Sequence, residues 1–300
     1  MEDIQFNKKH LIRYLIWTFA IAWALQIGTF FLYSNGDRVI YQFLIIGVMF
    51  VPSIGVFLSG AGFKSINFKV RIRGNIKYYL ISWFSPVVLT VLGMVLYFAL
   101  FPSQLDLEGT MLSQMLGEEG LKQIEAQGLS VQLLMIISLI QCVTYAPAIN
   151  MFFAAGEEIG WRGFLYPQLK ARFGRVRALI IGGVIWGVWH WPLIWLIGYN
   201  YGAEYFGYPV AGMLLFCVIT TALGIICEWL YEKSGSIWTT SIFHGSLNAA
   251  ATIPQVVTTP NSGSMTLLGS APNGIIAGLP IIIFAAIILF APGKAEKIPE

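Results

Sequence analysis

The chain has 300 residues, of which 57% are hydrophobic and only 11% charged, with a mean hydropathy of +0.71 and a formal net charge of +3. A soluble domain keeps about a quarter of its residues charged, so this composition excludes a water-soluble globule and makes the bilayer the solvent. The small net charge gives no footing for nucleic acid, and Cys142, Cys217 and Cys227, odd in number and set in apolar stretches, argue against a disulfide framework.

The first apolar run, residues 13–33, is longer than a signal-peptide core and is interrupted early by Arg13, so it reads as an uncleaved span. A crossing helix needs about 20 apolar residues. Runs of that kind recur at 39–59, 78–101, 131–164, 178–198, 209–230, 237–254 and 274–292. They predict an all-α, polytopic bundle of eight spans forming one membrane domain over residues 1–300, with the chemistry-bearing core at about 131–254. The fourth run is too long for a simple crossing and holds Pro147, so a kink, tilt or split is expected there. Gly109–Gln127 is polar and acidic and reads as a short helix on the outer face. Pro260–Gly274, rich in Ser and Gly, reads as an outer loop. There is no internal repeat.

Charge alternates with the runs. Lys8, Lys9 and Arg13 precede the first; Lys64, Lys69, Arg71, Arg73 and Lys77 follow the second. Lys170, Arg172, Arg175 and Arg177 follow the fourth, Lys233 the sixth, and Lys294 and Lys297 the eighth. The intervening loops hold Asp37 with Arg38, then Asp106, Glu108, Glu118, Glu119 and Glu125 with only Lys122, then Glu204. Lysine and arginine concentrate in cytoplasmic loops, so both termini are expected in the cytoplasm.

Ionisable groups inside spans are costly and functional by default. Three clusters stand out: Glu157, Glu158 and Arg162 at the end of the fourth run, His190 in the fifth, and His244 with Asn248 in the seventh. Glu158 lies 12 residues from Lys170, His190 lies 13 from Arg177, and His244 lies 11 from Lys233. At 1.5 Å per residue all three sit roughly 16–20 Å from a basic residue, a shared level that the reading assigns to the cytoplasmic half.

Helical spacing separates the roles. Glu158 and Arg162, four apart, share a face and can pair. Glu157, about 100° round the helix from Glu158, is left to face a neighbour as a general base, with His190 sharing the proton or orienting the water. His244 and Asn248, four apart, offer two adjacent donors for an oxyanion. Each residue also has a structural reading: an ion pair that only neutralises Arg162, a hydrogen-bonded core histidine, an interhelical Asn. Trp161, Trp186, Trp189, Trp191 and Trp195 read as packing and interface anchors. Glu228 reads as an interfacial residue, and Gly183 with Gly187 as a close helix contact.

These motifs (Glu157-Glu158-x-x-x-Arg162, Trp186-x-x-x-His190 and His244-x-x-x-Asn248) resemble those of the type II CAAX prenyl endopeptidase and bacteriocin-processing (CPBP) family of intramembrane proteases. Gly163-Phe164-Leu165-Tyr166-Pro167 is similar to the family's continuation, and tryptophan stands at 186 where phenylalanine is frequent. The resemblance implies an intramembrane endopeptidase with its site facing the cytoplasm; the reading adds a membrane-associated or lipid-modified peptide as substrate, and the minimal loops fit a bacterial plasma membrane. The resemblance also implies water activation by Glu157 and His190, and oxyanion stabilisation by His244 and Asn248. No cofactor is expected. Zinc on the two glutamates and two histidines is the rival within the enzyme class, disfavoured because the Glu158–Arg162 pair removes a ligand and sets a cation beside any metal. A transporter and a non-catalytic immunity or scaffold protein are the rivals outside it. The partners expected are a peptide substrate and the lipid bilayer, with no nucleic acid.

Overall fold

The computed structural model describes residues 5–36 and 38–291, so Asp37, Lys294 and Lys297 lie outside the described residues. The described residues form helices joined by loops, and their only β pairing is an isolated bridge between Leu105 and Thr258. Each of the eight predicted runs is helical over most of its length. By length and apolarity, four helical segments can cross a membrane: α1 (Lys8–Ser34), α4 (Ile76–Leu100), the stretch Arg175–Ile197 and α11 (Val210–Ser234). The number rises to six if two bent pairs each count as one span. These are α2 (Arg38–Val48) with α3 (Val51–Ser59), bent by 45°, and α5 (Thr110–Ala126) with α6 (Val131–Val143), bent by 92°.

Local chemistry sets the ends. Asn7 caps α1 by accepting from His10 N at 3.0 Å. The fourth predicted run is split: α6 stops at Val143, and after Thr144 and Tyr145 α7 (Ala146–Gly160) starts with Pro147 in its first turn, where a missing N–H costs nothing. After α7 comes a π-turn, Trp161–Leu165, then α8 (Tyr166–Phe173). The Arg175–Ile197 stretch breaks at His190 into α9 (Arg175–Trp189) and α10 (Trp191–Ile197), with Pro192 in the first turn of α10. Ser236 caps α12 (Ile237–Ala250), and α13 (Thr252–Val256) and α14 (Leu279–Phe290) complete the order. The expected outer-face helix over 109–127 is α5, kinked at Gly117 (φ 65°), and the expected loop after Pro260 carries a 3₁₀ turn, Pro260–Met265.

Two backbone approaches lock the core. A Cβ on Gly183 of α9 would lie 2.3 Å from Thr221 Cα of α11, and one on Gly245 of α12 would lie 2.4 Å from Met151 N of α7. Side chains are barred from both points. The four helices that carry the motifs and their backing are thereby held in pairs, α9 on α11 and α12 on α7.

Each end of the bundle is tied by its own loops. At one end Asn7 N donates to Gln168 Oε1 (2.7 Å), Ile237 N to Asn67 O (3.1 Å) and Trp238 Nε1 to Phe68 O (2.8 Å). At the other, Asp106 N donates to Val257 O (2.8 Å), Tyr201 Oη to Asn273 O (2.9 Å) and Asn273 Nδ2 to Asn200 O (3.3 Å). The first end carries the basic loops and the second the acidic ones.

Candidate active site

Glu157 and Glu158 are adjacent in α7 and both buried, but they meet different surroundings. Glu158, with no exposed surface, is saturated. Its Oε1 accepts from Arg162 Nη1 at 3.0 Å and lies 2.8 Å from His244 Nδ1, and its Oε2 accepts from the Thr240 hydroxyl. The i,i+4 ion pair read from spacing is therefore present, fully enclosed, with Arg162 also stacked 4.5 Å from the Trp186 ring centroid. Among the described residues no cation pairs with Glu157. Its Oε2 accepts from two indoles, Trp186 Nε1 at 2.7 Å and Trp161 Nε1 at 3.1 Å.

His190 sits at the α9–α10 break, its Nδ1 2.9 Å from the carbonyl oxygen of Trp186. A carbonyl only accepts, so Nδ1 carries the proton and a neutral His190 keeps its lone pair on Nε2. Trp189 and Phe216 hold the ring edgewise, with centroids 4.6 and 4.9 Å away. By the same logic His244 Nδ1–H donates to Glu158, which leaves Nε2 as its other polar atom. Asn248 follows one turn along α12 and is half-buried.

Glu157, His190, His244 and Asn248 all line one cavity of about 370 Å³, within the size range of small-ligand sites. Glu158 and Arg162 stand behind it. The cavity's exposed lining comes from Asn200, Thr252 and Gln255, at the acidic end of the bundle. Counting residues to the nearest lysine or arginine fixes distance from one end only, not the direction in which the space opens.

Three further sequence readings change. Trp161 and Trp186 are hydrogen-bond donors to Glu157 as well as packing groups; their spacing, four after Glu157 and four before His190, is the signal that could have shown it. Thr240, four before His244, was missed on the same ground. Glu228 is fully buried, not interfacial, and pairs with Lys170, which also reaches Glu232 at 3.1 Å. Among the described residues no three His, Cys, Asp or Glu side chains gather as a metal would need. The zinc set does not fit for a further reason: both Glu158 oxygens are already engaged by Arg162, His244 and Thr240.

Residues 132–250 match the family model described as type II CAAX prenyl endopeptidase Rce1-like, a segment that contains all three motifs. The chain is also 35% identical over 96 residues to CAAX prenyl protease 2 of Methanococcus maripaludis. That alignment covers 32% of this chain and 35% of the relative's length, so the chain matches about a third of the curated protein.

Proposed function

We propose that this chain, whose residues 132–250 match the type II CAAX prenyl endopeptidase Rce1-like model, is an integral membrane protein that hydrolyses a peptide bond of a membrane-associated or lipid-modified peptide. The observation that carries the reading is that Glu157 of α7, His190 at the α9–α10 break, and His244 and Asn248 of α12 line one cavity. A bacterial plasma membrane, eight crossings and cytoplasmic termini complete the reading, supported by eight helical runs and by basic loops gathered at one end.

With two indoles on Oε2, Glu157 takes the water proton on Oε1, and His190 Nε2 orients that water. The resulting hydroxide adds to the substrate carbonyl carbon. Negative charge moves to the carbonyl oxygen, which His244 Nε2–H and the Asn248 amide stabilise. That role needs both His244 nitrogens protonated, and Glu158 at 2.8 Å supplies the counter-charge. Collapse of the intermediate breaks the C–N bond, and the proton held by Glu157 passes to the leaving amine. No step uses a metal.

The test is turnover by purified protein of a panel of peptides with and without a lipid on cysteine. Glu157→Gln and His190→Ala are each expected to lower turnover by roughly 10²–10⁴-fold with unchanged thermal unfolding, and chelators to have no effect. Wild-type turnover in both variants overturns the reading, and loss of activity on chelation, restored by zinc, overturns its metal-free form.

A further inference from the structure

Two rows of residues run from Glu158 toward the basic end. Glu158, Arg162, Tyr166 and Lys170 stand four apart along α7, the π-turn and α8, and Gly224, Glu228 and Glu232 stand four apart along α11. Residues at that spacing share a helix face, and the two faces meet. Lys170 pairs with Glu228 and with Glu232. The Tyr166 hydroxyl is pressed against Gly224, where a Cβ would come within 2.2 Å of it, and a Cβ on Gly182 of α9 would lie 2.7 Å from Tyr166 Cζ. The two glycines let the phenol enter between α9 and α11.

Between these rows the hydrogen bonding is half complete. Arg162, Tyr166 and Glu228 have no exposed surface. Arg162 directs Nη1 to Glu158, and Glu228 directs Oε1 to Lys170. Arg162 Nε and Nη2, Tyr166 Oη and Glu228 Oε2, however, meet no hydrogen-bonding group among the described residues. Their chemistry is complementary: the guanidinium nitrogens only donate, the carboxylate oxygen only accepts, and the phenol does either. They are also neighbours. The guanidinium carbon lies 5.1 Å from the Tyr166 ring centroid, Glu228 stands one turn from the glycine that the phenol touches, and both residues are within electrostatic reach of Arg162. Buried polar groups of this kind are bonded to protein or to ordered water, and a buried water is held where several polar partners converge.

We propose that Arg162, Tyr166 and Glu228 hold ordered water, and that Glu228 is through it a positioning residue for the candidate site. The guanidinium is then held on two edges, by Glu158 at Nη1 and by water at Nε and Nη2. That fixes Glu158 Oε1, which also receives His244 Nδ1–H, and so sets where His244 Nε2 points in the cavity. Glu228 lies outside the cavity lining and acts only through Arg162. The positioning role rests on the proteolytic reading; the water site does not.

Radiolytic hydroxyl-radical footprinting of the full chain in detergent tests the water site, because radicals formed from bound water mark the side chains beside it. After correction for intrinsic reactivity, Tyr166 should be oxidised about tenfold faster than Phe243, which is equally buried and has no polar group. Tyr166 as protected as Phe243 overturns the water site. Turnover tests the positioning. Tyr166→Phe deletes the hydroxyl and Glu228→Leu the acceptor, and each should lower kcat about tenfold, the worth of one hydrogen bond, with KM unchanged. Glu228→Gln keeps an acceptor oxygen and the side chain's shape and should recover most of that loss. Unchanged kcat in Tyr166→Phe and Glu228→Leu overturns the positioning role, as does a Glu228→Gln no better than Glu228→Leu. Should Glu228→Leu fail to fold, Tyr166→Phe decides alone. If the wild-type protein cleaves no peptide, the failure belongs to the proteolytic reading. The nitrogen NMR signal of His244 Nδ1 then replaces kcat: a shift in Tyr166→Phe upholds the role, and an unshifted signal overturns it.

Discussion

Glu157 and Glu158 are neighbours in one helix, yet they belong to two different regions. Glu158 looks into the packed interior behind the cavity, where a guanidinium, an imidazole and a hydroxyl meet its two oxygens. Glu157 looks into the cavity and receives only two neutral indole donors. A rotation of about 100° between adjacent helical positions divides a charge that supports the structure from a charge left available to react. The same residue type is thus expected to matter for stability on one side and for turnover on the other.

The sharpest way to break that comparison is to remove the cation. Arg162→Ala leaves Glu158 in the packed half without its guanidinium partner, and breaking a buried pair of this kind costs about 3–5 kcal/mol. Thermal unfolding in detergent should show a large loss of stability. A variant as stable as wild type, with only its activity changed, would mean that the charges buried behind the cavity have no structural role.

A smaller effect should fall on the other side. Trp186→Phe keeps most of the aromatic bulk against Arg162 and His244 but deletes the 2.7 Å donor to Glu157. A hydrogen bond to a charged acceptor contributes roughly 1.5–3 kcal/mol, with Trp161 Nε1 left to compensate in part. Turnover should fall about tenfold through kcat, and unfolding should move far less than in Arg162→Ala. Equal losses of stability in the two variants would erase the distinction between the regions.

Much of the frame was readable from residue order. Apolar runs gave the helices, and loop charge separated the two ends. Spacing of four gave the Glu158–Arg162 pair because a single helix fixes that geometry by itself. What spacing could not give was any partner on another helix. Thr240 and His244 lie 82 and 86 residues beyond Glu158, and only packing brings them to it. Trp161 and Trp186 were masked by composition, since an indole among apolar residues reads as bulk until an acceptor faces it. Glu228 was misjudged because its distance from the end of α11 says nothing of what covers it: Lys170 arrives from α8. The direction of the cavity was hidden for the same reason, being a property of how well two halves of the same helices pack.

The smallest effect tests a carboxylate that belongs to neither region. Asp106 lies in the loop after α4, where its oxygens accept from Glu108 N at 2.9 Å and Thr110 N at 2.7 Å and so hold the start of α5. Slight burial pushes its pKa upward, but the hydrogen bonds from Thr110, Glu108 and Gly109 outweigh it and hold the carboxyl below its usual value. A group depressed in the folded state contributes fully above its unfolded pKa of about 3.9 and loses that contribution as pH falls through the lower folded value. Amide exchange at Glu108 and Thr110, corrected for intrinsic rates, should therefore keep its protection near neutral pH and lose it in acid. The loss should be roughly fivefold, the worth of a part-exposed cap near 1 kcal/mol. Asp106→Asn should start with less protection and show little further change with pH, while peptide turnover and global unfolding stay at wild-type values. If acid loosened the variant as much as the wild type, another group would be titrating there. If Asp106→Asn instead changed turnover, the outer loop would be coupled to the cavity, and the separation drawn between Glu157 and the rest of the chain's carboxylates would have to be redrawn.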